Sequence, residues 1–285
     1  MADAVTIQSD RGIIAALFGE PVTACAFACL VLLAAIAIFA PAIAPSDPLT
    51  QSVLNANLQP TAAHWLGTDQ FGRDVLSRII FGARSSLLLG VISPFLAAIA
   101  GSILGVTAGY FGGIVDRIAG RLIDLLLAFP ALLLGILVAA ALGPGFWELV
   151  VALAVSFLPR FARIARASTL SVRTEPFVDA AIVSGVRHLR IIARHIFPNV
   201  AGPIVVVLTL WVATAIRLEA TLSFLGLGTQ APQPSWGNII RDGLNNLFGS
   251  ARPIVSAGLA ITVTVLAFNL LGDAVRDVLD PELRE

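Results

Sequence analysis

Apolar residues in this chain come in long unbroken runs, not in the short alternations or single stripes of a soluble fold. Val22 to Ala40 is free of charge and ends at Pro41, Ser85 to Val115 is long enough to include turns, and Leu125 to Trp147 follows a short charged segment. Phe146 to Ala162 carries Glu148 near one end and Arg160 near the other, each close enough to an interface to snorkel. Asn199 to Ile216 and Pro253 to Gly272 are uncharged and bounded by charged or Pro/Gly-rich segments. A helix rising 1.5 Å per residue needs about 20 apolar residues to cross a bilayer core, where lipid offers no partner to an unpaired amide. The pattern therefore predicts an all-α integral membrane protein with six transmembrane helices and both termini on one side.

Composition agrees, with 57% hydrophobic and 13% charged residues among 285, against nearer a quarter charged in a soluble domain. Eighteen basic residues balance eighteen acidic ones, so no bulk charge argues for nucleic acid. Every basic residue is an arginine. Twelve of the eighteen arginines fall before the first span, between the second and third, from Arg160 onward before the fifth, and after the last. The positive-inside rule makes that side, and both termini, cytoplasmic. The expected domains are a cytoplasmic segment 1–21, a six-helix membrane domain 22–272 and a cytoplasmic tail 273–285. The start of the chain, with Asp3, Asp10 and Arg11, does not read as a cleaved signal peptide, so the first run stays as a membrane helix. Cys25 and Cys29 lie four apart in that run and read as small packing residues.

The two expected extracytoplasmic segments, 41–84 and 217–252, are too long and polar to be mere turns, and each offers a surface to an external partner. On the cytoplasmic side the loop of about 163–199 is longer than its neighbours, and such length invites a function. Thr174 is placed as an N-cap, Glu175 and Pro176 suit a first turn, and Phe177 to Ser184 continue as a short helix stopped at Gly185. A second helical pattern follows, with Leu189, Ile192, Ala193 and Ile196 on one face and Arg187, Arg190 and Arg194 on the other, broken by Pro198.

Asp179-Ala180-Ala181, then Gly185, then Ile196 and Pro198 resembles the EAA loop of ABC importer permeases. Phe39 to Pro48, His64-Trp65-Leu66-Gly67-Thr68-Asp69-Gln70-Phe71-Gly72-Arg73-Asp74 and Leu222-Ser223-Phe224-Leu225-Gly226-Leu227-Gly228 are similar to the second permease subunit of dipeptide, oligopeptide and nickel importers. The resemblance runs in one order from about residue 20 to 283. It implies a type I ABC importer-like fold in which Phe177 to Gly185 is a coupling helix. The ATPase-docking residues it implies are Glu175, Phe177, Val178, Asp179, Ala180, Ala181, Gly185, His195 and Pro198, with Asp179 one methylene shorter than the usual Glu. It further implies a bacterial or archaeal cytoplasmic membrane, a heterodimer with a second permease, two ABC ATPases holding ATP and Mg, and an extracytoplasmic solute-binding protein. The expected solute is a di- or oligopeptide, with nickel or another small solute as the alternative.

Arg121 and Asp124, three apart, are placed to neutralise each other on one helix face. The resemblance reads the same Arg121-x-x-Asp124, with Phe129-Pro130 after it, as a kinked stretch beside the pathway, and the structural and gating readings both stand. His64, His188 and His195 fall in loops on two sides and cannot share a metal; His195 belongs to the docking surface or caps a polar face. Asp69 and Asp74 flank Gly72, but not at EF-hand spacing. No metal or catalytic site is expected. The chain lacks lysine and hence a P-loop, so ATP must be handled by another subunit. A secondary transporter would use broken mid-membrane helices and buried acids that the sequence does not display. An intramembrane hydrolase built on Ser93, Ser102 or Ser156 would lack a histidine at membrane depth.

Overall fold

The computed structural model describes residues 20–279, so residues 1–19 of the expected amino-terminal segment and 280–285 of the tail lie outside the described residues. The described chain is helical throughout, with one isolated bridge between Thr68 and Asp74. Helix α1 (Pro21–Ile38) starts on a proline whose missing amide costs nothing there, and it passes through Phe39 into the short α2 (Ala40–Ile43). An irregular stretch with a 3₁₀ turn at Val53–Asn55 leads to α3 (Val75–Phe111), whose 37 residues span ~55 Å. The Asp74 carboxylate caps α3 by accepting from Ser77 N–H at 2.8 Å, so the helix begins ten residues before the expected Ser85. Gly112 and Gly113, at φ 65° and 56°, turn the chain at its far end.

The third expected span, Leu125 to Trp147, is not one straight helix. Helices α4 (Gly113–Leu127) and α5 (Ala131–Leu142) are bent by 94° at Ala128–Pro130. Pro130 has no N–H to give and drives Phe129 away from helical geometry, which breaks the ladder there. Helix α6 (Phe146–Arg173) follows, then the short α7 (Pro176–Val183) and α8 (His188–Ile191).

Pro198 does not break the chain into the next span. Instead α8 runs through a π turn at Ile192–Ile196 into α9 (Phe197–Phe224), one helix from His188 to Phe224. Phe197 N–H reaches back five residues to Ile192 C=O, and this wider turn absorbs the amide that Pro198 lacks. The same turn changes which side chains face inward. Ile191 and Ile196, five apart, are fully buried, whereas Leu189 is 79% exposed and Ala193 is exposed, against the expected stripe. The chain closes with α10 (Trp236–Leu244), capped by the Ser235 hydroxyl, and α11 (Arg252–Leu279).

By length and composition α1, α3, the α8–α9 run and α11 can each cross a membrane, and the bent α4–α5 pair makes a fifth candidate. The core forms where α3, α6 and α9 meet, joined by Ala139 from α5 and by Val178 from α7. A second cluster packs Ala37 of α1, Ala83 of α3, Ile216 of α9, Trp236 of α10 and Ala257 of α11.

Helices α3 and α6 run parallel and share the most extensive contact in the bundle. Gly101, Gly105 and Gly109, spaced four apart on one stripe of α3, lie against the backbone of α6. A Cβ on Gly101 would sit 2.7 Å from Leu158 C=O, one on Gly105 would collide with Ala162 C=O, and one on Gly109 would lie 3.0 Å from Arg166 C=O. Gly105→Leu should therefore lower thermal stability in detergent by about 1–3 kcal/mol or abolish insertion. Gly202→Leu, whose Cβ meets nothing within 4 Å, should stay within about 0.5 kcal/mol. Equal melting of both variants would contradict the close approach.

Candidate functional site

The two ends of the bundle differ. One carries the start of α3, the 41–74 stretch and α10; the other carries the end of α3, α7 and α8. At the second end, Thr174 closes α6 with its hydroxyl donated to Ser171 C=O at 2.8 Å, and Glu175, in extended geometry, stands at the position before α7 that was expected of Thr174. The end of α7 is locked as a Schellman turn: Gly185 N–H donates to Ile182 C=O and Val186 N–H to Ala181 C=O, with Gly185 at φ 72°. Nothing lies within 4 Å of where a Gly185 Cβ would stand, so its conformation and not crowding calls for glycine.

Val178 and Ala181, three apart, point into the core and seat α7 on the bundle. Phe177, Asp179, Ala180, Ile182 and Val183 face out, Val183 at 89% exposure, with Glu175 and Pro198 also exposed. The Phe177 and His195 rings lie 6.3 Å apart, which links α7 to the π turn. The expected docking residues thus share one end of the bundle, two of them turned inward. Tyr110 at the end of α3 shares a hydrogen bond of 2.8 Å with His188 Nδ1, and Arg173 donates to Gly109 C=O. The loop is tied to the same helix that carries the glycine stripe.

The Arg121–Asp124 pair does not form. Asp124 instead accepts from Arg163 Nη2 of α6 at 2.7 Å, because α4 folds back alongside α6. Asp116 and Arg166 make a second, bidentate pair between the same two helices, with Nη2 donating to Oδ2 at 2.7 Å. Arg121, Phe129 and Pro130 are exposed at the bend. Arg160, expected to snorkel from near a span end, stands midway along α6, which runs on to Arg173, and its guanidinium lies 4.4 Å over the Trp211 ring.

At the first end, Asp69 accepts from Arg73 Nε at 2.7 Å and Arg78 Nη1 at 3.0 Å, while Asp242 of α10 accepts from both guanidiniums at 3.1 and 3.2 Å. Asp74 caps α3 and lies 2.9 Å from His64 Nδ1. These carboxylates are already committed to cations and amides, which leaves no calcium loop. His64 sits at the opposite end from His188 and His195, and no group of three metal-ligating residues occurs among the described residues. Sequence reasoning missed Arg78, Asp242, Trp236 and Glu219. Glu219 was assigned to an outer loop because the fifth apolar run ends at Ile216; the helix continues to Phe224 and buries the carboxylate fully, with Ser223 Oγ donating at 2.7 Å. An acid flanked by Ile216, Ala220 and Leu222 was the available signal.

Apolar helices long enough to cross a membrane, packed around a glycine-lined pair and presenting a short glycine-stopped helix at one end, define an integral-membrane helical bundle. The inward-facing MetNI methionine ABC transporter has the same fold, with a TM-score of 0.58 at 17% identity over 70% of this chain and 96% of that one. Residues 101–285 match the model of the family described as binding-protein-dependent transport system inner membrane component, and the chain belongs to that family. It is 42% identical to a dipeptide transport system permease protein, DppC, of Alkalihalophilus pseudofirmus, over 87% of this chain and 82% of that one. It is 44% identical to the glutathione transport system permease protein GsiD of Shigella flexneri serotype 5b, over 90% and 84%. The chain is accordingly an inner-membrane permease subunit of an ABC importer and a transport component, not a catalytic enzyme.

The two arginine pairs differ in worth. Arg166 is one-third exposed and bidentate, whereas the Arg163 and Asp124 side chains are 58% and 71% exposed. Arg166→Ala should cost about 1–2 kcal/mol in detergent melts, and Arg163→Ala no more than about 0.5 kcal/mol. Equal losses would mean that the pairs hold α4 by something other than these contacts.

Proposed function

We propose that this chain is the permease half of an ATP-driven peptide importer whose α7 docks on an ATPase subunit. The carrying observation is α7 itself, seated by Val178 and Ala181, stopped by Gly185 and presenting Phe177, Asp179, Ala180 and Val183 outward at the arginine-rich end. Those exposed residues, with Glu175, His195 and Pro198, form the docking surface, and Val178 and Ala181 serve it from behind. The six spans are α1, α3, the bent α4–α5 pair, α6, the α8–α9 run and α11. Helix α6 qualifies although it is the most polar, because Arg163 and Arg166 have acids of α4 beside them.

In this reading the domain runs 22–272 with both termini cytoplasmic, and the segments 41–84 and 217–252 face a solute-binding protein on the other side. ATP and Mg are held by two partner ATPases, and a second permease completes the pathway. The names of the relatives, a dipeptide and a glutathione permease, support a short peptide as solute. Closure of the ATPases moves α7 as a rigid body, and the ties from the loop to α3 and α6 carry that motion into the bundle. The Arg121, Asp124, Phe129 and Pro130 stretch, at the 94° bend, lies beside the pathway.

Gly185→Trp forces a bulky residue into a left-handed position and should distort the docking end without touching the spans. In proteoliposomes holding the full importer, ATP-dependent peptide uptake should fall at least about tenfold, since the strain of ~1–2 kcal/mol and the lost turn act on the docking geometry, while the chain still inserts. Full uptake by this variant would sink the docking assignment.

A further inference from the structure

We propose that a cleft at the middle of the bundle, built on Arg160, Trp211 and Arg217, binds a carboxylate of the solute, the C-terminal carboxylate of a peptide being the fitting group. The cleft, of about 330 Å³, lies between α5, α6 and α9 and is lined by Ala131, Arg160, Trp211, Thr214, Arg217, Leu218 and Thr221. Arg160 and Trp211 each stand midway along a 28-residue helix, far from either end.

Both guanidiniums lack an acid. Arg73, Arg78, Arg163 and Arg166 each meet a carboxylate, and among the described residues Arg160 and Arg217, like the remaining arginines, do not; what sets these two apart is that they share one cleft. Arg160 is stacked on Trp211, and Arg217 Nη2 donates to Thr214 Oγ1 at 3.3 Å. The lining holds no Asp or Glu. Asp124 is taken by Arg163, and Glu219 is fully buried, bonded by Ser223.

Arg217 and Thr221 are exposed on the turns of α9 that follow Trp211. A guanidinium turned to hydrocarbon is heavily disfavoured, so this face borders water, a ligand or protein. A planar guanidinium held flat by an indole keeps its N–H edge free, and that edge matches the two oxygens of a carboxylate. Trp211 and Leu218 offer apolar surface to the adjoining side chain. Ala131, immediately after Pro130, places the cleft at the α4–α5 bend, so a shift of that bend alters the cleft wall.

This inference rests on the reading of the chain as a peptide-importer permease. Its test uses the complete importer purified in detergent without its solute-binding protein, with trialanine and trialanine C-terminal amide as probes. Intrinsic fluorescence is recorded, and Trp211→Phe identifies the contribution of that indole among the four tryptophans. Trialanine should change the Trp211 signal, and the amide should bind at least about tenfold more weakly, as expected when a charge-assisted bond is lost. Arg160→Gln combined with Arg217→Gln should weaken trialanine about tenfold and erase the distinction; Arg217→Gln alone, at an exposed position, gives the same direction if the double variant does not insert.

Equal binding of acid and amide, or no Trp211 response to millimolar trialanine, overturns the proposal. So does loss of the second permease from the purified double variant with trialanine binding retained, which would make the arginines partners of an acid on that subunit. The importer reading is checked separately, by copurification of ATPases with the wild-type chain. Its failure is visible whatever the probes do.

Discussion

The most extensive helix contact among the described residues is that of α3 to α6, where backbone meets backbone because Gly101, Gly105 and Gly109 bring no side chain between them. Between membrane helices there is no hydrophobic gain from leaving lipid, so packing of this closeness supplies the attraction that water would supply elsewhere. Its consequences run along both helices. With α6 fixed in register on α3, Arg163 and Arg166 project from α6 at the level where α4 folds back from Gly112 and Gly113, and Asp124 and Asp116 meet them. The glycine stripe also ends beside Tyr110, which hydrogen-bonds His188 of the 174–196 loop, and beside Arg173, the last residue of α6 before that loop. A contact made by three absent side chains thus sets the position of the loop on which coupling is proposed to depend.

Much of this was legible from the chain, and the failures share a physical origin. Apolar length located the helices that can cross a membrane, four and a bent pair of the six spans expected, and Pro176 with Gly185 bounded α7 almost to the residue, because local backbone preference decides such short elements. The ends of long helices were harder, since tertiary contacts overrule hydropathy there. Helix α3 starts at Val75 because Asp74 caps it and because Arg78, charged and inside the helix, is neutralised by Asp69 and by Asp242, 164 residues away. Helix α9 extends past Ile216 because Glu219 finds a hydroxyl in its own next turn.

Two further misreadings came from applying local rules singly. The i, i+3 spacing of Arg121 and Asp124 is right for an intrahelical pair, yet a cross-helix arginine wins because the fold brings α6 alongside. Pro198 is a helix breaker only while the turn before it is α; a π turn supplies an alternative ladder, and it rotates Ile191 into the core in place of Leu189. The docking residues, by contrast, were assigned as a set by resemblance. The structure divides them into those that seat α7 and those that face out, a distinction a linear motif does not carry.

The ion pairs of this chain lie toward the two ends of the bundle. At one end, two guanidiniums and two carboxylates form a buried network; at the other, α4 acids meet α6 arginines on partly exposed faces. A network with its charges matched does structural work, since removing one member leaves a buried charge unpaired. At mid-height the matching acid is missing, and an indole and a threonine hydroxyl stand in its place. Neither neutralises a guanidinium, so the positive charge remains available to the carboxylate proposed to bind there.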